Sequence, residues 1–143
     1  MAVECSHRHH YETVKPAIRS IHSPDVGALE AYSPVDPEVF GFLAQVMIGP
    51  DEGEGEESFD VRVCSPKWLL QRYDREDIII GRHHLIMLEY DFGRMMRAIE
   101  AFCRECEAPT WRELALKLSR LGKWEFEDYV EAASAPSPSS QPR

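Results

Sequence analysis

The sequence predicts an α+β fold, a mainly antiparallel sheet of about four or five strands with two to three helices packed on one face. Segments in which apolar residues alternate lie mostly in the first half of the chain, as expected of half-buried strands. Segments with apolar residues at helical spacing come later, and this order is typical of α+β domains. The length of 143 residues, 43% of them hydrophobic, fits one domain with a substantial core.

Two terminal segments are expected to lie outside that core. Residues 1–13 are polar and carry three histidines, which predicts a flexible arm. Residues 132–143 are rich in proline and serine, a composition that buries too little apolar surface to fold, so we predict a disordered tail. A single folded domain is therefore predicted over residues 14–131, without internal repeats.

The first three strands are predicted from local patterns. Residues 15–22 form the first, and three prolines make 24–40 an irregular connection with one helical turn near 26–31. The second and third strands, 41–49 and 58–64, are consecutive in the chain and predict an antiparallel hairpin. Their alternate apolar residues are Phe42, Ala44, Val46, Ile48, Phe59, Val61 and Val63.

A short helix and a fourth strand are predicted next. Ser65 can cap the first free amides and Pro66 suits the first helical position, so a helix is expected over 66–74. A run of three isoleucines then opens a predicted strand over 78–89. Gly81 is expected to form a bulge in it, because the apolar face switches there.

The last part of the chain predicts two helices and a final short strand. The first helix has an apolar stripe formed by Phe92, Met95, Met96, Ile99, Phe102, Cys103 and Cys106. The second begins at Thr110, which forms a capping box with Glu113, and ends at Gly122. Trp124 and Phe126 alternate with glutamates and predict the last strand.

Charge and hydropathy restrict the classes of partner. The net charge is −9 and the pI is about 5.1, and solubility alone is the default explanation of such a charge. The charge disfavours binding to nucleic acid and to anionic membranes and favours a protein with a basic surface. No apolar run of signal-peptide length opens the sequence, and the longest apolar stretches are too short to span a membrane. We therefore expect a cytoplasmic protein with reduced cysteines.

Cysteine and histidine motifs give no catalytic or metal site. Cys103 and Cys106 spell CxxC, but they lie near a predicted helix C-terminus, where the dipole disfavours a thiolate, so we interpret them as buried apolar residues. His83 and His84 should point to opposite faces of a strand and cannot readily share a metal ion. The histidines of the arm, His7, His9 and His10, are given no functional weight. We predict no metal, no cofactor and no enzymatic activity.

Two acidic segments stand out. The loop between the second and third strands carries five carboxylates without a basic residue between them: Asp51, Glu52, Glu54, Glu56 and Glu57. A second group lies near the end of the domain: Glu125, Glu127, Asp128 and Glu131. Each segment by itself is explained by ordinary solvated surface. Together they are also compatible with an electrostatic mimic of nucleic acid that is offered to a basic protein.

Several short segments, in order, resemble the immunity protein 8 family of bacterial polymorphic toxin systems. They are FGFLAQV at 40–46, ESFDVRVCSPKWL at 57–69, GRHHLI at 81–86 and LGKWEFEDY at 121–129. The resemblance covers residues 17–130 and leaves both terminal segments out. It implies a protein that is made beside a toxin and binds it, and such toxins are often nucleases with basic active sites. It carries over no catalytic residue.

The resulting hypothesis is an immunity protein that binds and neutralises a cognate toxin, with a nuclease as the favoured toxin class. We expect the contact residues to include Asp51, Glu52, Glu54, Glu56, Glu57, Trp124, Glu127, Asp128 and Tyr129. Trp124 fits a core position equally well. Two alternatives stay open, an acidic regulatory or adaptor domain with a non-toxin partner, and a small enzyme, which requires a polar cavity with converging titratable groups. The oligomeric state is left open.

Overall fold

The computed structural model describes residues 12–128 and confirms the α+β class. In chain order the elements are β1 (Pro16–His22), β2 (Gly41–Pro50), β3 (Glu57–Cys64), α1 (Pro66–Arg72), β4 (His84–Ile86), α2 (Phe92–Arg104), α3 (Trp111–Leu118) and β5 (Lys123–Trp124). Nearly all of the predicted arm and the whole predicted tail lie outside the described residues, so both stay predictions.

One open, mixed sheet organises the domain, in the order β1-β2-β3-β4, with β5 also pairing with β3. The first three strands form an antiparallel meander. Two strands then share the remaining edge of β3: β5 pairs antiparallel with Phe59 and Asp60, and β4 pairs parallel with the segment from Arg62 to Cys64. The parallel pair is possible because a long crossover that includes α1 returns the chain to the same end of the sheet.

One face of the sheet forms the core. The alternate apolar residues of β2 and β3 are fully buried, as the alternation predicted: Phe42, Ala44, Val46, Ile48, Phe59, Val61 and Val63. The two longer helices cover this face with residues that are themselves buried: Met95, Ile99 and Cys103 from α2, and Leu114, Ala115 and Leu118 from α3. All of these residues belong to one hydrophobic cluster.

The opposite face of the sheet is partly covered by Trp68 of α1. A Cβ atom on Gly41 would lie 2.1 Å from the Trp68 ring, so only glycine lets the indole lie against this strand. The guanidinium group of Arg62 stacks over the same ring at 5.8 Å from its centroid. Trp68 therefore supplies an apolar contact to the outer face at the end of β2 that begins with Gly41.

The predicted strand over 78–89 is wrong in extent. Only His84–Ile86 pairs with the sheet, while Ile78, Ile79 and Ile80 are exposed and Gly81 lies in no bulge. The reason is geometric, because β5 already occupies the edge of β3 at Phe59 and Asp60, which leaves room for a short β4 only. An irregularity in strand pairing does occur, but in β1, between Ile18 and Ser20.

The predicted helix starts are confirmed. Ser65 Oγ accepts a hydrogen bond from Trp68 N at 3.2 Å, and Thr110 Oγ1 accepts one from Glu113 N at 3.2 Å. Asp91 caps α2 in the same way by accepting from Arg94 N at 2.9 Å. These caps satisfy amides that have no partner within the helix, which explains why each helix begins where it does.

Candidate functional site

The acidic loop, defined here as residues 51–56, joins β2 to β3. Its carboxylates are Asp51, Glu52, Glu54 and Glu56, and all four residues are exposed. Within the described part of the chain, none of them forms an ion pair with Lys, Arg or His. The loop therefore presents unneutralised negative charge to solvent, as expected of a surface that attracts a basic partner.

Hydrogen bonds from Arg19 and a close approach to Gly49 fix the backbone of the acidic loop. Arg19 Nη2 donates hydrogen bonds to Pro50 O at 2.6 Å and to Gly53 O at 2.9 Å. A Cβ atom on Gly49 would lie 2.0 Å from Gly55 O, so the loop folds closely over a position where only glycine fits. Gly55 has φ +96°, a conformation that favours glycine. A loop held this way loses little conformational freedom on binding.

Glu57 differs from its acidic neighbours. It is the first residue of β3 and half-buried, and its Oε1 accepts hydrogen bonds from Trp111 Nε1 and Trp124 Nε1, each at 2.8 Å. The expectation that Glu57 belongs to the solvent-facing charge of the loop is corrected by this geometry. Its carboxylate joins β3, α3 and β5 within the domain.

Trp124 occupies the core, the alternative that the sequence left open. Only 4% of its surface is exposed, so the expectation of an exposed aromatic anchor at this position is corrected. Its ring packs edge-on against Phe126 at 5.9 Å between centroids, and Arg112 lies over it at 5.9 Å. The aromatic surface of Trp124 is used to fasten β5 to the domain.

The second acidic segment is largely engaged within the domain. Glu125 Oε1 accepts a hydrogen bond from Ser58 N at 2.6 Å, and Glu127 Oε2 lies 3.2 Å from Arg82 Nη1. Asp128 is exposed and has φ +70°. Tyr129 and Glu131 lie outside the described residues. The carboxylates of Glu125 and Glu127 therefore serve contacts within the domain more than they form a continuous acidic patch.

The CxxC cysteines are buried at the C-terminal end of α2, as the apolar stripe predicted. Burial raises the pKa of the Cys103 thiol to about 12 and also raises the pKa of the Cys106 thiol. Because a thiolate is the reactive form, both groups are poor nucleophiles at neutral pH.

The adjacent histidines are divided between a turn and a strand. His83 has φ +64°, and its Nε2 lies 2.7 Å from Ser119 O, while His84 opens β4. Among residues 12–128, no group of three or more histidine, cysteine or acidic side chains is arranged to hold a metal ion. No helix in the same range is long and apolar enough to cross a membrane.

An exposed aliphatic surface near β4 was missed by the sequence analysis. Its large side chains are Ile78, Ile80, Ile86 and Leu88. The signal was present in the run of isoleucines, but an unbroken apolar run is also what a fully buried strand shows. Only the position of β4 at the sheet edge distinguishes the two cases.

A family comparison covers nearly all of this architecture. The family model described as Immunity protein 8 matches residues 16–129, from the first residue of β1 to just beyond β5. No significant match is found among curated proteins or among solved structures. Because the match spans most of the chain and every strand of the sheet, the chain belongs to the immunity protein 8 family.

Proposed function

We propose that this protein binds and neutralises a cognate toxin of a bacterial polymorphic toxin system by covering the toxin's active surface. The observation that carries the proposal is the family match over residues 16–129. Membership of an immunity protein family implies a toxin as partner, and members of such families are generally not enzymes. Blockade by binding is therefore the mechanism that the proposal adopts.

The acidic loop supports a toxin with a basic surface, and a nuclease is the toxin class that we favour. A protein that cleaves nucleic acid needs cationic groups against the phosphate backbone. Four exposed carboxylates on a held loop, on a chain of net charge −9, offer such a surface a complementary field. Complementary fields accelerate encounter more than they add affinity, so we assign the loop mainly to association.

The direct test is co-expression with the protein encoded by the neighbouring gene, which we expect to be the toxin. We expect growth to be rescued, and we expect the chain to co-elute with an inactivated form of the toxin on size-exclusion chromatography. Val61→Asp is the matched control, because a carboxylate in the centre of the core should unfold the domain and abolish protection. A toxin that kills equally well with and without the folded chain would overturn the proposal and favour the adaptor alternative.

A further inference from the structure

The aliphatic side chains beside β4 are highly exposed to solvent. The exposed fractions are 93% for Ile78, 83% for Ile80, 54% for Ile86 and 74% for Leu88. Isolated exposed apolar residues are common on protein surfaces. Four large ones within eleven positions of sequence expose a considerable apolar area to water, which is unfavourable. Ile86 and Leu88 also line one groove, and an exposed apolar patch of this kind marks a surface that a partner covers.

The backbone of β4 adds unpaired hydrogen-bonding groups to this surface. Arg62 N donates to His83 O at 2.8 Å and Met87 N donates to Cys64 O at 3.0 Å, so these residues face β3. In a parallel pair, alternate residues face the neighbouring strand, which directs the N–H and C=O of Ile86 away from the sheet. Within residues 12–128, no strand pairs with this side of β4.

The other edge of the sheet is protected in a way that this edge is not. β1 begins with Pro16, has a register irregularity between Ile18 and Ser20, and contacts α2. Proline and bulges are features by which proteins prevent unwanted pairing at sheet edges. β4 has neither feature within His84–Ile86, so its outer edge is open to strand addition.

A groove runs beside the open edge, between β4 with the residues that follow it and α2. Its volume is about 520 Å³. Met95 is fully buried, Leu85 is half-buried, and both line the groove, together with Ile86, Met87, Leu88, Glu89, Arg94 and Ala98. The lining is mainly apolar, so the groove can accept an apolar side chain from a strand placed along Ile86.

We propose that β4 and this groove receive an extended segment of the cognate toxin, which adds as a strand beside β4 and places an apolar side chain in the groove. The inference rests on the proposed function and names a contact surface distinct from the acidic loop. β4 has only three residues, so it offers few backbone hydrogen bonds. The aliphatic side chains must therefore supply most of the affinity.

Charge favours a toxin segment with basic flanks over a second copy of this chain. In the chain segment 74–94, which contains β4, carboxylates outnumber arginines, with Asp74, Glu76, Asp77, Glu89 and Asp91 against Arg75, Arg82 and Arg94. Arg82 is already paired with Glu127. Two copies that met edge to edge would bring together two chains of net charge −9 through segments that each carry an excess of carboxylates, whereas a basic segment would meet opposite charge.

The first test compares two double variants in binding to the inactivated toxin. The double variant Ile86→Thr with Leu88→Ser should raise the dissociation constant at least tenfold, mainly by faster dissociation. Val35→Ser with Leu116→Ser removes exposed aliphatic groups elsewhere and should change the constant less than twofold. Equal binding by the two variants would overturn the inference while leaving the proposed function intact. Absence of binding by the unmodified chain would overturn both.

The second test addresses the backbone of β4. Amide hydrogen exchange at Ile86 should slow at least tenfold when the toxin binds, because a strand added there would take up this N–H. Ile86→Pro removes the same donor while leaving the Leu85 and Met87 bonds to β3, and it should weaken binding at least tenfold. Unchanged exchange at Ile86 in the complex would overturn strand addition even if the proline variant does not fold.

The free protein supplies the remaining control. We expect light scattering to show a monomer for the unmodified chain at low and high salt. A dimer that Ile86→Thr with Leu88→Ser converts to a monomer would assign the open edge to a second copy and overturn the inference.

Discussion

At the residue scale, Glu57 links three elements of the fold through a single oxygen atom. Its Oε1 receives the indole N–H groups of Trp111 and Trp124, so β3, α3 and β5 meet at one carboxylate. Trp111 also packs edge-on against Phe59, with 6.5 Å between ring centroids. A half-buried carboxylate with two indole donors stabilises the domain because removing it leaves both donors without that partner.

Glu57→Ala should lower the free energy of unfolding by about 2–4 kcal/mol, since hydrogen bonds to charged groups each contribute about 1.5–3 kcal/mol. Glu57→Gln should lose less, because its amide oxygen still accepts from the indoles. Urea unfolding followed by tryptophan fluorescence measures both values. Glu52→Gln, on the exposed loop, is the matched control and should lie within about 0.5 kcal/mol of the unmodified chain. Equal midpoints for Glu57→Ala and the control would contradict the assigned role.

At the element scale, the hairpin of β2 and β3 carries the acidic loop on a support that involves a third strand. Arg19 of β1 bonds two carbonyl groups of the connection, and Gly49 lets the backbone at Gly55 approach β2 closely. Asp51 N also donates to Lys15 O at 2.8 Å, which ties the loop to the chain just before β1. The position of the carboxylates therefore depends on the meander as a unit.

Gly49→Ala should displace the loop, because its new Cβ atom would meet the carbonyl oxygen of Gly55 at 2.0 Å. We expect a loss of about 1–3 kcal/mol in the free energy of unfolding, the usual range for an added methyl group without space. Gly81→Ala is the matched control, because nothing lies within 4 Å of its Cβ position. Thermal or urea unfolding compares the two, and a Gly49→Ala protein as stable as Gly81→Ala would show that the close approach is unimportant.

At the scale of the whole molecule, net charge and its placement separate the two proposed contact surfaces. The acidic loop presents exposed carboxylates, whereas the surface beside β4 presents aliphatic groups and an open backbone edge. Long-range attraction acts on encounter and is screened by salt, while apolar contact acts on dissociation and is not. The two surfaces should therefore be distinguishable by kinetics.

Glu52→Gln with Glu54→Gln should slow association with the toxin severalfold at low ionic strength, with little change in dissociation. The effect should fade near 0.5 M salt, because the Debye length falls from about 10 Å at 0.1 M towards about 3 Å at 1 M. Glu30→Gln with Asp36→Asn changes the net charge equally and lies outside the loop, so it serves as control. Stopped-flow association rates that are equal for the two variants would leave the loop as ordinary solvated surface.

The sequence by itself determined the features that depend on neighbours in the chain. The alternation in β2 and β3, the caps Ser65 and Thr110, and the apolar stripe of α2 are local patterns, and the structure confirms them. The short segments that resemble an immunity protein are likewise visible without coordinates, and the family match agrees with them. The acidity and exposure of the loop at 51–56 follow from the same local composition.

Only the tertiary structure decided the features that join distant residues. Glu57 lies 54 positions from Trp111 and 67 from Trp124, and no local pattern indicates that their side chains meet. The isoleucines at 78–80 have the composition of a buried strand, but β5 occupies the edge they would need, so they remain exposed. The sequence shows which residues are apolar and how they are spaced. Competition between strands for one edge of the sheet decides which of them are buried, and therefore which surface is open to a partner.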